Sequence, residues 1–398
     1  MKALSSKFSY NYKLLFFFVI FTIFFILLEI NNNRYWQSDF EVYYKSANRF
    51  LNSQLLYRPG EDGFYRYKYS PVASLLFIPF ALVPFEIAKI FYSFFISLLM
   101  YLNLIISIKL FKSYTKNSIS KYHLFYIVFF IVLSMFSHYF RELHLGQVNI
   151  LILFLILYSL IVNNKNTLLS SVLIALSGFI KPYFLIFILY FIFEKQFKQV
   201  LYIVFSSIVL FFTPLFNYNF NNLMTNYYYW YLELKLEILR ESEIGNIENV
   251  SIFTFFDKYL GYFFIINNKI VHLFVLIILG LFVSWYLILT AKNLPKSQKI
   301  KFDYSMLCAL IPILVSNGRS IYIFLFPLVY LISISNIYKN MVFLIVFCFS
   351  CICIGLNFGE GVILSQWIKN FYLMPFAGLM LIFLSVFIIK DKKLLTIK

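Results

Sequence analysis

The chain has 398 residues, of which 62% are hydrophobic and only 13% charged. A soluble domain carries about 25% charged residues, and apolar stretches recur along the whole length, which leaves no room for a separate soluble domain. The expectation is a single all-α polytopic membrane domain over residues 1–398, and the net charge of +17 must be explained within it.

Apolar runs predict twelve spans, near 14–30, 87–110, 123–138, 148–162, 168–180, 183–193, 199–215, 270–290, 303–316, 321–337, 341–357 and 367–389. Several are short for a bilayer that needs about 20 residues per helix. The pair 168–180 and 183–193 reads as a broken or re-entrant hairpin. Lys2, Lys7 and Lys13 precede the first run, which ends "LLEINNNRYW" without a small-x-small cleavage site. That pattern predicts an uncleaved anchor rather than a signal peptide.

With the N-terminus in the cytoplasm, the inner segments hold 19 of the 34 Lys and Arg. Of the 17 acids they hold Glu194, Asp303 and Asp391. This asymmetry is the positive-inside pattern, so the basic charge reports topology and excludes a nucleic-acid surface. All seven Arg (34, 49, 58, 66, 141, 240, 319) fall outside, and every inner base is Lys. Arg binds phosphate at two points, so the outer face either handles phosphate or simply carries its share of cations.

The first outer loop opens "RYWQSDFEVYYKSANRFL". "SDFE" fits a capping box, with Ser38 as N-cap and Glu41 three residues on. Glu41 also stands one helical turn from Lys45. Phe40, Tyr44, Ala47, Phe50 and Leu51 form an apolar stripe, which predicts an interfacial helix. Tyr35 and Trp36 mark the headgroup level before it. Asp39 is left without a strong structural role. A helix dipole would favour it by less than about 1 kcal/mol, whereas a carboxylate close to the bilayer edge is a candidate general base. The loop then carries Arg58, Arg66, Lys68 and Tyr69 among aromatic residues, a pattern suited to a sugar and a lipid phosphate.

The next outer segment, "RELHLGQVNILILF", sets His144, Gln147 and Asn149 against an apolar span. Buried amides must find partners, so interhelical hydrogen bonding competes with substrate contact for both. His144 reads as a ligand, a proton shuttle or a solvated loop histidine. In "SGFIKPYF", Lys181 stands between apolar segments beside Pro182. A cation there faces a cavity or a partner, and a phosphate contact is the favoured reading.

The long outer segment 216–269 alternates from Leu232 to Ile238 and fits a strand or an interfacial helix equally. Cys308, Cys348, Cys351 and Cys353 all fall in apolar runs. "CFSCIC" has no His or acid nearby, so these are buried thiols and no metal site is expected. Arg319 stands in the late outer loop "VSNGRSIYIFLFP".

"DFEVYYKSANRFLNSQLLY" followed by "FYRYKYSPVASLLFIPFALVPFEIA" resembles glycosyltransferase family 87. The Gly-Gln-x-Asn at 146–149 and the Lys-Pro at 181–182 extend the resemblance, and Asn249 with Ser251 weakly match an Asn-x-Ser element. The resemblance implies the C-type glycosyltransferase fold, with about 10–12 transmembrane helices and interfacial helices in the first and a later outer loop. It implies a polyprenyl-phosphate sugar donor, no cofactor and no metal. Asp39 takes the place of the catalytic base, and Tyr69 and Pro71 match the element that follows.

Where the family has a late His cluster this chain offers Arg319, so the expected substrate-binding set is Arg58, Arg66, Lys68, Tyr69, His144, Gln147, Asn149, Lys181 and Arg319. The implied reaction moves a hexose (mannose among the candidates) or a pentose to a hydroxyl of a lipid-linked or cell-envelope glycan, with inversion. The implied setting is a multi-pass protein among the lipids of an inner or plasma membrane, with the site on the extracytoplasmic side. The competing readings are a flippase or transporter for lipid-linked glycans, which would need a polar path through both membrane halves, and a glycan ligase or polymerase.

Overall fold

The computed structural model describes residues 2–63, 65–112, 121–241, 250–261, 268–315, 318–356, 362–391 and 394. Among these every element is helical, and no strand occurs. Six helices are long and apolar enough to cross a membrane: Tyr12–Asn31, Phe85–Phe111, Tyr122–Leu145, Phe197–Phe216, His272–Asn293 and Leu373–Lys390. Four shorter apolar helices join them: Asn149–Asn163, Thr167–Ile180, Arg319–Ser333 and Met341–Gly355. The protein is therefore an all-α, multi-pass membrane protein.

Four of the twelve expected spans differ in detail, among them 321–337, which is a 3-10 segment, Arg319–Leu325, a helix, Phe326–Ser333, and a second 3-10 segment, Asn336–Lys339. Residues 183–193 begin with a 3-10 turn and leave a helix of nine residues, Leu185–Phe193. At 1.5 Å per residue that helix reaches about 14 Å, less than half the hydrocarbon thickness. The expected span 303–316 is the end of a longer helix, Lys296–Leu314, whose first two turns are rich in Lys. The expected span 367–389 is two elements: Ile363–Asn370, then Leu373–Lys390 after Tyr372 in the left-handed region (φ 50°). The alternating stretch 232–238 is helical, within Phe220–Glu241. Asn249, Ser316, Asn317 and residues 357–361 lie outside the described residues.

The chain forms two compact units, one of residues 1–106 with 140–238 and one of residues 107–139 with 239–398. In the first, α1 (Lys2–Asn31) is followed by α2 (Ser38–Leu51), and α3 begins at Phe85. The end of α4 (Lys121–Leu145), then α5 (Asn149–Asn163), α6 (Thr167–Ile180), α7 (Leu185–Phe193), α8 (Phe197–Phe212) and most of α9 (Phe220–Glu241) complete it. The expected stripe on α2 is largely buried: Phe40, Ala47 and Phe50 are fully covered, together with Val42, Tyr43 and Ser46, while Leu51 stays exposed. The buried face is thus wider than the sequence stripe. Phe40 packs on Phe80, Phe85 and Tyr92, and Phe50 on Phe216 and Tyr218. Burying such a ring is worth about 1.5–3 kcal/mol where it leaves water, and this packing holds α2 against protein. The loop after α2 is pinned by Arg49, whose guanidinium donates to both oxygens of Asp62 at 2.8 and 2.5 Å.

In the second unit, α10 (Asn268–Asn293) and α11 (Lys296–Leu314) are joined by a buried polar cluster. Lys299 Nζ donates to Asp303 Oδ2 at 2.6 Å, and Thr290 Oγ1 to Asp303 Oδ1 at 2.8 Å. Helix α13 (Met341–Gly355), which follows α12 (Phe326–Ser333), ends at Gly355, where an added Cβ would meet the Leu133 carbonyl oxygen at 1.6 Å. The four thiols are free; Cys308, Cys351 and Cys353 are buried and Cys348 is half-buried.

Candidate active site

Asp39 is the second residue of α2, and its neighbours in sequence fix it. Gln37 is fully buried in the left-handed region (φ 47°), and its Nε2 donates to Ser93 Oγ at 2.7 Å and to the Leu143 carbonyl at 3.2 Å. Phe40 stacks on Tyr92 with ring centroids 4.2 Å apart. The expected capping box is absent. The helix starts at Ser38, with Gln37 as a cap that makes no side-chain capping bond. The contacts of Gln37 with distant residues set this start and override the local Ser preference. Glu41 makes the expected pair with Lys45, at 2.7 Å on the exposed face.

The segment facing Asp39 is positioned by a glycine. Helix α4 ends at Leu145, and Gly146 (φ 71°) reverses the chain. The Gln147 N–H then bonds the Glu142 carbonyl at 3.0 Å, which is the long bond of a Schellman cap. Tyr92 Oη donates to the Gln147 carbonyl at 2.8 Å. Gln147 is thereby aimed at α2, and its Nε2 donates to Asp39 Oδ2 at 2.9 Å. Asn149, at the start of α5, donates through Nδ2 to Gln147 Oε1 at 3.0 Å and to Glu142 Oε1 at 2.6 Å.

A third strand of the site comes from the break after α6. Lys181 is extended (φ −142°, ψ 139°), as a residue before proline is driven to be. Its Nζ donates to Asn149 Oδ1 at 2.9 Å and lies 5.6 Å from the centre of the Tyr183 ring. Ser70 ties Tyr69 to the same break, because Ser70 Oγ donates to the Phe179 carbonyl at 2.6 Å. Tyr69 shares a 2.9 Å hydrogen bond with Tyr43 through their hydroxyls. Asp39, Tyr43, Tyr69, Gln147, Asn149 and Lys181 therefore form one cluster.

Burial raises the Asp39 carboxyl above its ordinary value. The Gln147 hydrogen bond and the charges of Lys181, Lys68 and Arg141 pull the other way. Burial likewise pushes the Tyr69 hydroxyl up to about 12, against the opposing charge of Lys181. The candidate site thus holds a partly desolvated carboxyl under the influence of several cations, a pattern that recurs at catalytic centres.

Other expected residues are not bonded into this cluster. Arg58 bonds Glu61 and Gln54, each at 3.0 Å, and Arg66 bonds the Gly63 carbonyl at 3.0 Å with Glu233 at 4.0 Å. His144 Nδ1 is paired with the Glu29 carboxylate, and its ring lies beside exposed Trp36. Arg319 belongs to the second unit, where it is buried at the start of a 3-10 turn, Arg319–Leu325. Two participants escaped the sequence reading. Glu142 is fully buried yet bonded to Asn149, and the buried Nε of Arg141 has no hydrogen-bond partner among the described residues. The signal was the acid and base standing four and five residues before a glycine at the end of a span.

The fold and the cluster thus define a multi-pass helical membrane protein with a half-buried carboxylate, Asp39, under the charges of nearby cations. The sequence profile of glycosyltransferase family 87 matches residues 67–316, more than half of the chain, and the chain belongs to that family. It is a glycosyltransferase. The match takes in Lys68, Tyr69, Arg141, Glu142, His144, Gln147, Asn149 and Lys181, while Asp39 precedes it and Arg319 follows it. No curated protein and no solved structure matches the chain.

Proposed function

We propose that this glycosyltransferase uses a polyprenyl-phosphate sugar and transfers the sugar to a hydroxyl of a lipid-linked or cell-envelope glycan at the outer face of the membrane. The observation that carries this reading is Asp39, held by Gln147 and under the charges of Lys181, Lys68 and Arg141. Asp39 takes the proton of the acceptor hydroxyl. The freed oxygen attacks the anomeric carbon from the face opposite the phosphate. The bond from that carbon to the phosphate oxygen breaks, and polyprenyl phosphate leaves with the electron pair, giving inversion. Arg141, with its unpaired Nε, and Lys181 stabilise the charge that grows on the leaving phosphate. Tyr69, half-buried, offers its ring and hydroxyl to a sugar, with buried Tyr43 bonded behind it.

The reading is tested by incubating purified protein with a panel of polyprenyl-phosphate sugars and analysing the products. Turnover of one member with inversion supports it. Failure of all of them, with turnover of a nucleotide sugar, overturns it. Lys181→Met is expected to weaken donor binding about tenfold to a hundredfold at little cost in expression. Donor affinity equal to the parent would remove Lys181 from the phosphate site.

The outer location has its own test. Cysteine at exposed Ser53, in the first outer loop, is expected to react with an impermeant maleimide in intact cells. Cysteine at exposed Ser297 is expected to react only after permeabilisation. The reverse pattern would put the site on the cytoplasmic side.

A further inference from the structure

The last of the six long apolar helices, α15 (Leu373–Lys390), has 18 residues. At 1.5 Å per residue it reaches about 27 Å, close to the hydrocarbon thickness of a bilayer. Its first residue therefore falls at one edge of the hydrocarbon and its last at the other. At the far edge Lys390 Nζ lies 5.4 Å from the centre of the exposed Trp285 ring. Such a cation and aromatic mark a membrane boundary. Trp285 belongs to α10, which packs beside α15 through a 3.2 Å hydrogen bond shared by Tyr286 and Ser385.

The near edge carries α14 (Ile363–Asn370). It does not run on into α15, because Tyr372 between them is in the left-handed region (φ 50°), which a helix does not continue through. The break is held by a neighbouring segment. Lys258 Nζ donates to the Asn370 carbonyl, and Tyr259 Oη to the Phe371 carbonyl at 3.4 Å. These groups meet carbonyls that a helix end leaves open, and the lysine charge suits a helix C-terminus. Asp257, just before them, accepts from His272 Nε2 at 2.8 and 3.0 Å, which ties the same segment to α10. A straight run from α14 into α15 would break both carbonyl contacts.

Residues of a helix step about 100° apart, so α14 divides into three faces. Ser365 and Ile368 are buried against the chain. Gln366, Lys369 and Asn370 form a polar face. Ile363, Leu364, Trp367 and, just past the helix end, Phe371 form an apolar face. All four are exposed, Ile363 by 73% and Trp367 by 59%. A contiguous apolar face left open by the chain marks a contact with something else, and the length of α15 sets this one at the edge of the hydrocarbon.

We propose that α14 lies along the membrane surface and beds Ile363, Leu364, Trp367 and Phe371 among the lipids where headgroups meet acyl chains, its polar face towards water. The three faces match the protein, lipid and water that surround an interfacial helix, and tryptophan suits that depth. With its C-terminus latched by Lys258 and Tyr259, α14 limits how far α15 sinks into the bilayer. This role is independent of the sugar donor and of Asp39.

The test places a nitroxide on a cysteine introduced at Leu364, Trp367 or Gln366 of the full chain in lipid vesicles. Molecular oxygen concentrates among acyl chains and a neutral nickel chelate in water, so the ratio of the two collision rates reads depth. The ratio at Leu364→Cys and Trp367→Cys is expected to be several-fold above that at Gln366→Cys. The parent chain, whose Cys348 is half-buried, supplies the background signal. Equal ratios at the three positions would mean that the apolar face meets water, and would overturn the proposal. Low collision rates with both reagents at Leu364 and Trp367 would overturn it too. With spin–spin broadening they would give the face to a second copy of this chain, and without broadening to another part of the same chain. The two apolar positions are read separately, so a variant that fails to fold leaves the other to decide.

Discussion

Asp39→Asn is expected to lower turnover by about a hundredfold to ten-thousandfold while donor binding and folding survive. The amide keeps the size of the carboxylate and can still meet Gln147, but it cannot take a proton. The sign of the stability change follows from the raised Asp39 pKa, for which burial is the main cause. A carboxyl whose pKa is higher in the folded than in the unfolded state binds its proton more tightly when folded. Its contribution to stability is present below the unfolded value and is lost as pH rises through the folded one. At neutral pH the ionised Asp39 is therefore a net cost, and Asp39→Asn is expected to melt at the same temperature as the parent or above it.

The same shift sets the pH profile. The base must be ionised, so turnover falls as pH drops through the folded pKa, and the acid limb lies above the ordinary carboxylate range. Glu41→Gln loses an exposed pair with Lys45, worth at most about 1 kcal/mol, and is expected to keep most activity. The measurement is turnover against pH, with melting temperature, for both variants. An active Asp39→Asn, or a stable but inactive Glu41→Gln, would exchange the roles of the two carboxylates.

The parts of the site that could be read from sequence are those governed by short-range rules. Lys181 precedes a proline, which forces the extended backbone that carries its side chain out of the helix. Asp39 follows an aromatic pair at the end of an apolar run, and no neighbour explains it away. The membrane class follows from composition alone. The parts that were not legible depend on residues far apart in the chain. Gln37 displaces the expected cap through contacts 56 and 106 residues away. Glu142 meets Asn149 only because Gly146 turns the chain back between them. Arg58 and Arg66 looked like phosphate ligands because aromatic residues surround them. In the fold they are occupied by acids and amides of their own loop and of α9. Which loop cations find local acids is set by the fold, and sequence spacing does not reveal it.

Gly146→Ala is expected to be among the most damaging single substitutions at the site, although it adds one methyl group. Two effects act together. The backbone is in the left-handed region at φ 71°, which costs a residue with a Cβ roughly 1–2 kcal/mol. The new Cβ would also lie 2.5 Å from the Phe40 Cβ and 3.1 Å from the Phe40 nitrogen, and overpacking of this kind costs about 1–3 kcal/mol. The contact is with the Cβ and backbone of Phe40, so no smaller side chain at position 40 relieves it short of glycine. The first turn of α2 must move away from the Gly146 turn. That turn carries Asp39, and the next residue after Gly146 is its partner Gln147. A displacement near 1 Å between reacting groups is enough to lower turnover about a hundredfold. Gly60→Ala is the control, because nothing lies within 4 Å of an added Cβ there. Melting temperature and turnover of the two purified variants provide the comparison. Gly146→Ala is expected to be less stable by roughly 2–5 kcal/mol and nearly inactive, with Gly60→Ala close to the parent. Should both variants behave alike, the close approach of the Gly146 turn to α2 is not what holds Asp39 against Gln147.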